Sequence, residues 1–531
     1  MVYSRIMADE QEITLDESAT AEGDSGEAGC PIMMGYGDAP RCGRKLHGAP
    51  DGVDEKPVCL MHSKDTGKQS GPLFDAFWSE FERILEDARE NVAHFEHFVF
   101  PLLKFRGRKF EATCEFSDAT FAQDADFVDT TSVRGANFQG ATFTQDANFT
   151  FATFKRDAYF FGTSFAQGAS FLHATFAQDA DFWNATFTQD SNFCEATFVQ
   201  NAEFSEATFK QNADLSEATF TRKARFVATE FYGTASWKGS RFLDQAEFRR
   251  TKFDPQIAGE PSTVFALAKF SNPGEIVFDD VDLSRALFHN CDVSQVWFTS
   301  SVRWAKRENN RGLAVFDETI SKECLEREFE EEPRSYWHRD YSAVAQIYQQ
   351  LKKNYDSRLD YWTANQFHFA EMEMMRLAEP AVGKLRAFLR IRPTWLRQWL
   401  LRHLSLVALY RYASDYGNSY WKPLMWLLTT LVLFAALLPL PGVGLKRQGT
   451  RQAETYASVW NVQKSYRENL WAEVRLTGKG VITSVDAATF QRSAEYAPAY
   501  PWGRVVAIIE TLLTSSLFAL FLLAIRRQFR R

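Results

Sequence analysis

Between about Phe110 and Phe253 the large apolar residues of this chain recur with steps that alternate between five and six. Phe138, Phe143, Phe149, Phe154, Phe160 and Phe165 open the clearest run, which continues to Phe209. Two residues before nearly every one stands something small, as at Ala136, Ala141, Ala147, Ala152 and Ala158. A helix repeats every 3.6 residues or so and a strand every two, so neither gathers this spacing onto one face. A coil that turns a corner after each unit does, with the large residue and its small companion pointing inward and the Thr, Asp, Gln and Glu between them facing water. Alternating large and small inward residues let successive layers stack without voids. The six-residue steps carry an extra residue at Asp124, Gly135, Asp146, Asp157, Gly168, Asp179, Asp190, Asn201 and Asn212. These are turn formers that tolerate left-handed backbone, which predicts the insertion at a corner. The true repeat is then eleven residues, and two repeats close one four-sided coil.

The stretches ATFAQDADF (119–127) and ATFTQDANF (141–149) contain the triplets Ala125-Asp126-Phe127 and Ala147-Asn148-Phe149. They resemble the pentapeptide-repeat family, whose units read roughly Ala-Asp/Asn-Leu/Phe-x-x. The resemblance implies a mainly β fold wound as a right-handed quadrilateral β-helix; the extra residue in every second unit leaves a three-sided solenoid as the alternative. The pattern breaks around 254–274 at Pro255, Pro261 and Pro273, then resumes with a strict step of five at Phe278, Leu283, Phe288, Val293 and Phe298. That return reads as the last coil or two.

The flanks follow other periods. Residues 1–29 carry no apolar run and many carboxylates, which predicts a disordered acidic tail and no signal peptide. In 30–71, Cys30, Cys42, Cys59 and His62 stand among glycines and prolines, and three thiols with an imidazole suit a tetrahedral structural zinc site. The segment also resembles the small Cys/His module that precedes the repeats in some bacterial pentapeptide-repeat proteins. Cys114 and Cys291 differ, since each takes the small inward position two before Phe116 or Val293. Residues 72–100 turn helical, with Phe74, Phe77, Trp78, Phe81 and Ile84 on one stripe, and are read as a cap over the start of the 101–300 β-helix. Residues 336–380 read as a helical hairpin, similar to the linker between repeats and membrane hairpin in bacterial pentapeptide-repeat membrane proteins. His368, Glu371 and Glu373 in it are assigned to packing and solvated charge.

The C-terminal third brings in the bilayer. Arginines and tryptophans interleave with leucines over 383–415, which suits an interfacial amphipathic helix. Apolar runs predict transmembrane helices in 421–445 and in 505–531, the latter ending in a basic tail, around an extracytoplasmic loop over 446–504. Cationic outer flanks favour cytoplasmic N- and C-termini at an inner, plasma-type membrane. Glu510 is the membrane residue to watch, because a carboxylate in hydrocarbon is costly unless paired.

With 48 Phe in 531 residues and a net charge of −8, composition reflects the repeat and forces no partner. No nucleophile with a base or phosphate-cradling glycine loop stands out, so no catalytic or cofactor-binding residue is assigned and the chain is not read as an enzyme. The favoured function is a membrane-anchored scaffold that presents a rigid cytoplasmic β-helix to a protein partner. One alternative is a channel-like assembly of the oligomerised two-helix hairpin, although the nearest filter-like stretch, 476–484, lacks a run that could form a carbonyl filter. Another is a DNA-mimic that binds gyrase, disfavoured because Lys155, Arg156, Lys210 and Arg222 interrupt any acidic field. Lipid is an expected partner, a homo-oligomer through the hairpin is open, and nucleic acid is not expected.

Overall fold

The computed structural model describes residues 29–34, 40–48, 52–103, 105–254, 259–307, 312–326, 341–378, 406–438, 445–447, 455–456, 466–488, 496–498 and 501–529. The acidic tail before residue 29 and the arginine-rich stretch holding Arg386, Trp395 and Arg402 lie outside them.

One parallel sheet of ten strands and three of eight form the four faces of a β-solenoid. Ala147 pairs with Ala125 on one side and Ala169 on the other, so one coil takes 22 residues, two eleven-residue repeats. Four faces decide against the three-sided alternative. Where the step of five is strict, Phe278 pairs with Phe298 and the coil contracts to 20 residues.

The inward residues form ladders. Along one face Phe143, Phe165, Phe187 and Phe209 stack with centroids 4.6–4.9 Å apart and planes within 7° of parallel. That spacing is set by the hydrogen-bonded strands, which lie about 4.7–4.9 Å apart. Between faces the rings meet edge to face, as Phe149 with Phe160 at 5.5 Å and 86°. Each such pair adds about 0.5–1.5 kcal/mol beyond the area it buries. Ala141, Ala152, Ala174 and Ala185, fully buried, leave room for the rings. Cys114 and Cys291 fill the same kind of position and are equally buried. One ladder has a gap: Ser132 stands between Phe110 and Phe154, and its buried hydroxyl has no hydrogen-bond partner.

The corners differ from expectation. Left-handed backbone falls two residues after every second ladder residue, at Asp118, Asp129, Gly140, Phe151, Gly162, His173 and Asn184, with φ between +54° and +65°. Of the extra residues in the six-residue steps, Gly135 alone has positive φ. Several of the others act through their side chains. Asp146 Oδ1 accepts the Gly168 N–H at 3.0 Å, Asp179 Oδ1 the Asn201 N–H at 3.1 Å, and Asp190 Oδ1 the Asn212 N–H at 3.0 Å. Each carboxylate thus satisfies an amide one coil further on. The left-handed corners have their own braces, such as Asn148 Oδ1 accepting the Thr150 N–H at 3.0 Å. Much of the outward Asp and Asn is therefore structural.

Helices close both ends. Helix α1 (Gly71–Ala88) lays Phe77, Trp78 and Phe81 over the first coil, where Phe81 stacks on Phe95 at 4.5 Å. After α2 (Phe316–Glu326), helices α3 (Tyr341–Ser357) and α4 (Tyr361–Ala378) form a hairpin. This hairpin, expected as a linker, also seals the last coil. Asn354 Nδ2 donates to the Val293 and Val296 carbonyls at 2.8 and 2.7 Å, and Arg358 donates to the Val296 and Phe298 carbonyls. A last coil has no following strand, so its carbonyls need these donors.

Beyond lie α5 (Leu406–Ser414), α6 (Trp421–Leu437), α7 (Tyr466–Ala488) and α8 (Pro501–Phe529). Helix α7 corrects an expectation, because it falls inside the region read as a loop and packs against both α6 and α8. The segments Leu445–Arg447, Thr455–Tyr456 and Tyr496–Pro498 form a small antiparallel sheet in the same region.

Candidate metal centre and candidate membrane bundle

Cys30, Cys42, Cys59 and His62 come together from three turns of a segment with little core of its own. Their ligand atoms all lie within 4.8 Å of one another. Cys42 Sγ and Cys59 Sγ are 3.8 Å apart, and His62 Nδ1 is 3.2 Å from Cys59 Sγ and 3.4 Å from Cys30 Sγ. A tetrahedron with metal–sulfur bonds of about 2.3 Å has an edge of about 3.8 Å. The donor set therefore fits a metal. His62 Nε2 lies 3.1 Å from the Glu96 carbonyl, so it carries the hydrogen and Nδ1 is left free to ligate. A hydrogen bond from the Cys59 thiol, opposed by burial and assisted by His62 and Arg44, pulls the Cys42 thiol well below its usual value and pushes Cys59 up.

The surroundings tie this cluster to the solenoid. Arg44 Nη1 donates to Cys42 Sγ at 3.1 Å while its Nε donates to Glu80 on α1 at 2.8 Å. Its charge offsets the excess negative charge that three thiolates would leave around a divalent ion. Lys68, buried, donates to the Leu60 and Ser63 carbonyls beside the ligating turn, and burial lowers it to about 7. His62 packs edge-on to Phe98 at 5.1 Å. The sequence pointed to the four residues that the fold brings together, but Arg44 and Lys68 carry no local signal.

At the other end, Pro501–Arg527 is long and apolar enough to cross a membrane, while Trp421–Leu437 has 17 residues, roughly 25 Å at 1.5 Å each. The expectation of two full spans thus reduces, among the described residues, to one candidate span and one shorter apolar helix. Both leave large apolar side chains uncovered, including Leu428, Val432 and Leu433 on α6 and Ile508, Leu512 and Leu523 on α8. Glu510 is fully buried between helices, where Ser484 of α7 contacts its Oε1 and also lies 3.2 Å from the Leu431 carbonyl of α6.

The foot of α8 meets the solenoid cap. Arg527 Nε donates to Asn365 Oδ1 of α4 and Nη1 to the Tyr416 carbonyl, both at 2.9 Å. Tyr416 OH in turn donates to Glu373 at 2.7 Å, which also pairs with Arg376 and Arg411. Glu371 binds Lys352 at 2.8 Å and His368 at 3.1 Å. These three α4 residues, read from the sequence as packing and solvated charge, are instead largely buried, and their ion pairs serve the joint between cap and bundle.

The fold and its ladders define a β-solenoid built from eleven-residue double units. A family model described as Pentapeptide repeats (9 copies) matches residues 105–153 and, overlapping them, 138–186, so this part of the solenoid carries pentapeptide repeats. No curated protein and no solved structure matches the chain.

Proposed function

We propose that the chain is a membrane-attached scaffold, a stiff pentapeptide-repeat rod fixed at its C-terminal cap to an apolar helix bundle. The carrying observation is the Arg527 contact with Asn365 and Tyr416, which joins the foot of α8 to the cap instead of leaving it on a free tether. A rod held that way presents its faces at a fixed height and angle. The arginines at 526 and 527 favour placing that foot, and with it the rod, on the cytoplasmic side of a plasma-type membrane.

Two exposed aromatic stacks on the rod are the partner-facing candidates: Phe151 on His173 at 4.8 Å and Trp183 on Phe161 at 4.6 Å. A DNA-like field is disfavoured because Arg225 pairs with Glu203 and Glu247, and Arg249 with Asp279. The Cys/His cluster serves as a structural zinc centre that orders the N-terminal segment against α1. A second reading, a gated assembly formed by several bundles, draws support from the buried Glu510 alone.

Native mass spectrometry of the full-length protein from its own membranes tests the reading. A stoichiometric protein partner that is lost on Phe151→Ala with Trp183→Ala supports the scaffold. A bare symmetric oligomer that survives those changes overturns it in favour of the assembly.

A further inference from the structure

Ser484 Oγ lies within hydrogen-bond distance of two acceptors, Glu510 Oε1 and the Leu431 carbonyl. A serine hydroxyl has one hydrogen. The carbonyl can only accept, so if Ser484 donates to it, the hydrogen between Ser484 and Glu510 must come from Glu510. The other carboxyl oxygen, Oε2, is buried and has no hydrogen-bond partner among the described residues. A neutral acid tolerates that orphan far better than a carboxylate, whose uncompensated charge would be buried among helices.

Among the described residues, no cation is placed against the Glu510 carboxyl. On α6 the cation Lys422 is paired with Asp415 at 2.6 Å. On α5 Arg411 is paired with Glu373. Helix α7 turns the buried Thr483 and Ser484 toward the bundle core, while its Arg475 is exposed and its Lys479 and Asp486 are half-buried. On α8 itself Arg504 is exposed, and the buried Thr514 hydroxyl donates to the Glu510 main-chain carbonyl at 2.8 Å.

We propose that Glu510 is a proton-binding site within the helix bundle, its proton held in the chain Glu510 O–H to Ser484 O–H to Leu431 carbonyl across α8, α7 and α6. This rests on the reading of the bundle as membrane-embedded. Loss of the proton would leave a carboxylate that takes the Ser484 hydrogen for itself, and α6 would lose its contact with α7 at Leu431. Protonation therefore sets whether this one hydrogen-bonded chain links the three packed helices. Because α8 is also fixed to the rod at Arg527, the bound proton bears on how the rod is held.

The test is infrared difference spectroscopy of the full-length protein in lipid nanodiscs. The expected result is a neutral carboxylic-acid C=O band near neutral pH, shifted in D2O, absent in Glu510→Gln and moved but retained in Ser484→Ala. The Ser484→Ala shift is a readout that mere packing would not give. No such band near neutral pH overturns the proposal, as does a band that vanishes on adding NaCl or KCl at fixed pH, which would make this a cation site. Carbonate extraction of the parent membranes keeps the two readings apart: release of the protein removes the membrane reading, and the infrared band then decides the proton site by itself.

Discussion

Arg527, at the foot of the apolar helix α8, donates its Nε hydrogen to Asn365 Oδ1 on the solenoid cap at 2.9 Å, a contact between residues 162 positions apart. Both helices would fold without it. The Arg527→Ala variant is therefore expected to keep α8 and the rod intact while loosening their joint. Hydrogen exchange should rise in 361–378 and in the turn at Tyr416, with the coils between 110 and 250 unchanged. Uniform protection across both regions would show that the joint is held elsewhere.

Phe182 lies between Phe160 and Phe204 in its ladder, 4.8 and 4.9 Å from each. Phe182→Ala should cost about 3–5 kcal/mol, the usual range for removing a buried aromatic. In a solenoid each coil touches only its neighbours, so the damage should be local. Hydrogen exchange should speed up in the coils on either side before the ends respond.

Ala228 sits at a left-handed corner with φ +55°, and no β-branched residue occupies any of the positive-φ positions in the rod. Ala228→Val should lower the unfolding midpoint, since a branched Cβ is the worst fit to that backbone. Ala228→Gly should leave stability unchanged or raise it by up to about 1 kcal/mol, because strain is relieved while chain entropy is lost. A thermal melt of both variants checks the opposite signs.

Asp317, on the first turn of α2, is buried and accepts the Phe288 N–H at 3.0 Å. Burial pushes its carboxyl up to about 7, against the opposing hydrogen bond from Phe288. The folded state then holds the proton longer than the unfolded state, which releases it near 3.9 or so. Its contribution to stability is full below about pH 4 and is lost as pH rises through about 7. Asp317→Asn keeps an acceptor and should flatten this part of the stability profile, measured by denaturant unfolding across that window.

The Cys/His cluster should carry one zinc per chain, visible as a mass increment under native conditions. A strong chelator should lower the unfolding temperature of the wild type and leave Cys59→Ser unchanged. Loss of metal should also free the turn at His62 from the Glu96 carbonyl, raising exchange in the first coil.

The solenoid could be read from spacing because every coil repeats the same local decision. Phe149 and Phe171 are buried for the reason that Phe127 is, and a regular error would have been visible as a broken period. The four clustered Cys and His residues were legible for a related reason, since thiols and an imidazole at short spacing have few other uses. The role of Asp146 and Asp190 was not legible. A turn former and a side-chain acceptor look alike in sequence, and only the amide one coil on, from Gly168 or Asn212, tells them apart.

The sequence by itself determined the eleven-residue period, the inward Phe and Ala ladders, the clustering of Cys30, Cys42, Cys59 and His62, and an apolar C-terminal helix. Those features depend on composition at fixed local intervals, where burial of each residue is decided by its own neighbours. Tertiary structure decided what α3 and α4 cover, where α7 packs, and which partners Glu510 and Arg527 find. These depend on contacts between residues dozens to more than a hundred positions apart, such as Asn354 with Val293, Ser484 with Glu510 and Arg527 with Asn365. No local period encodes such contacts, because a polar side chain is satisfied by whatever acceptor the completed fold brings to it.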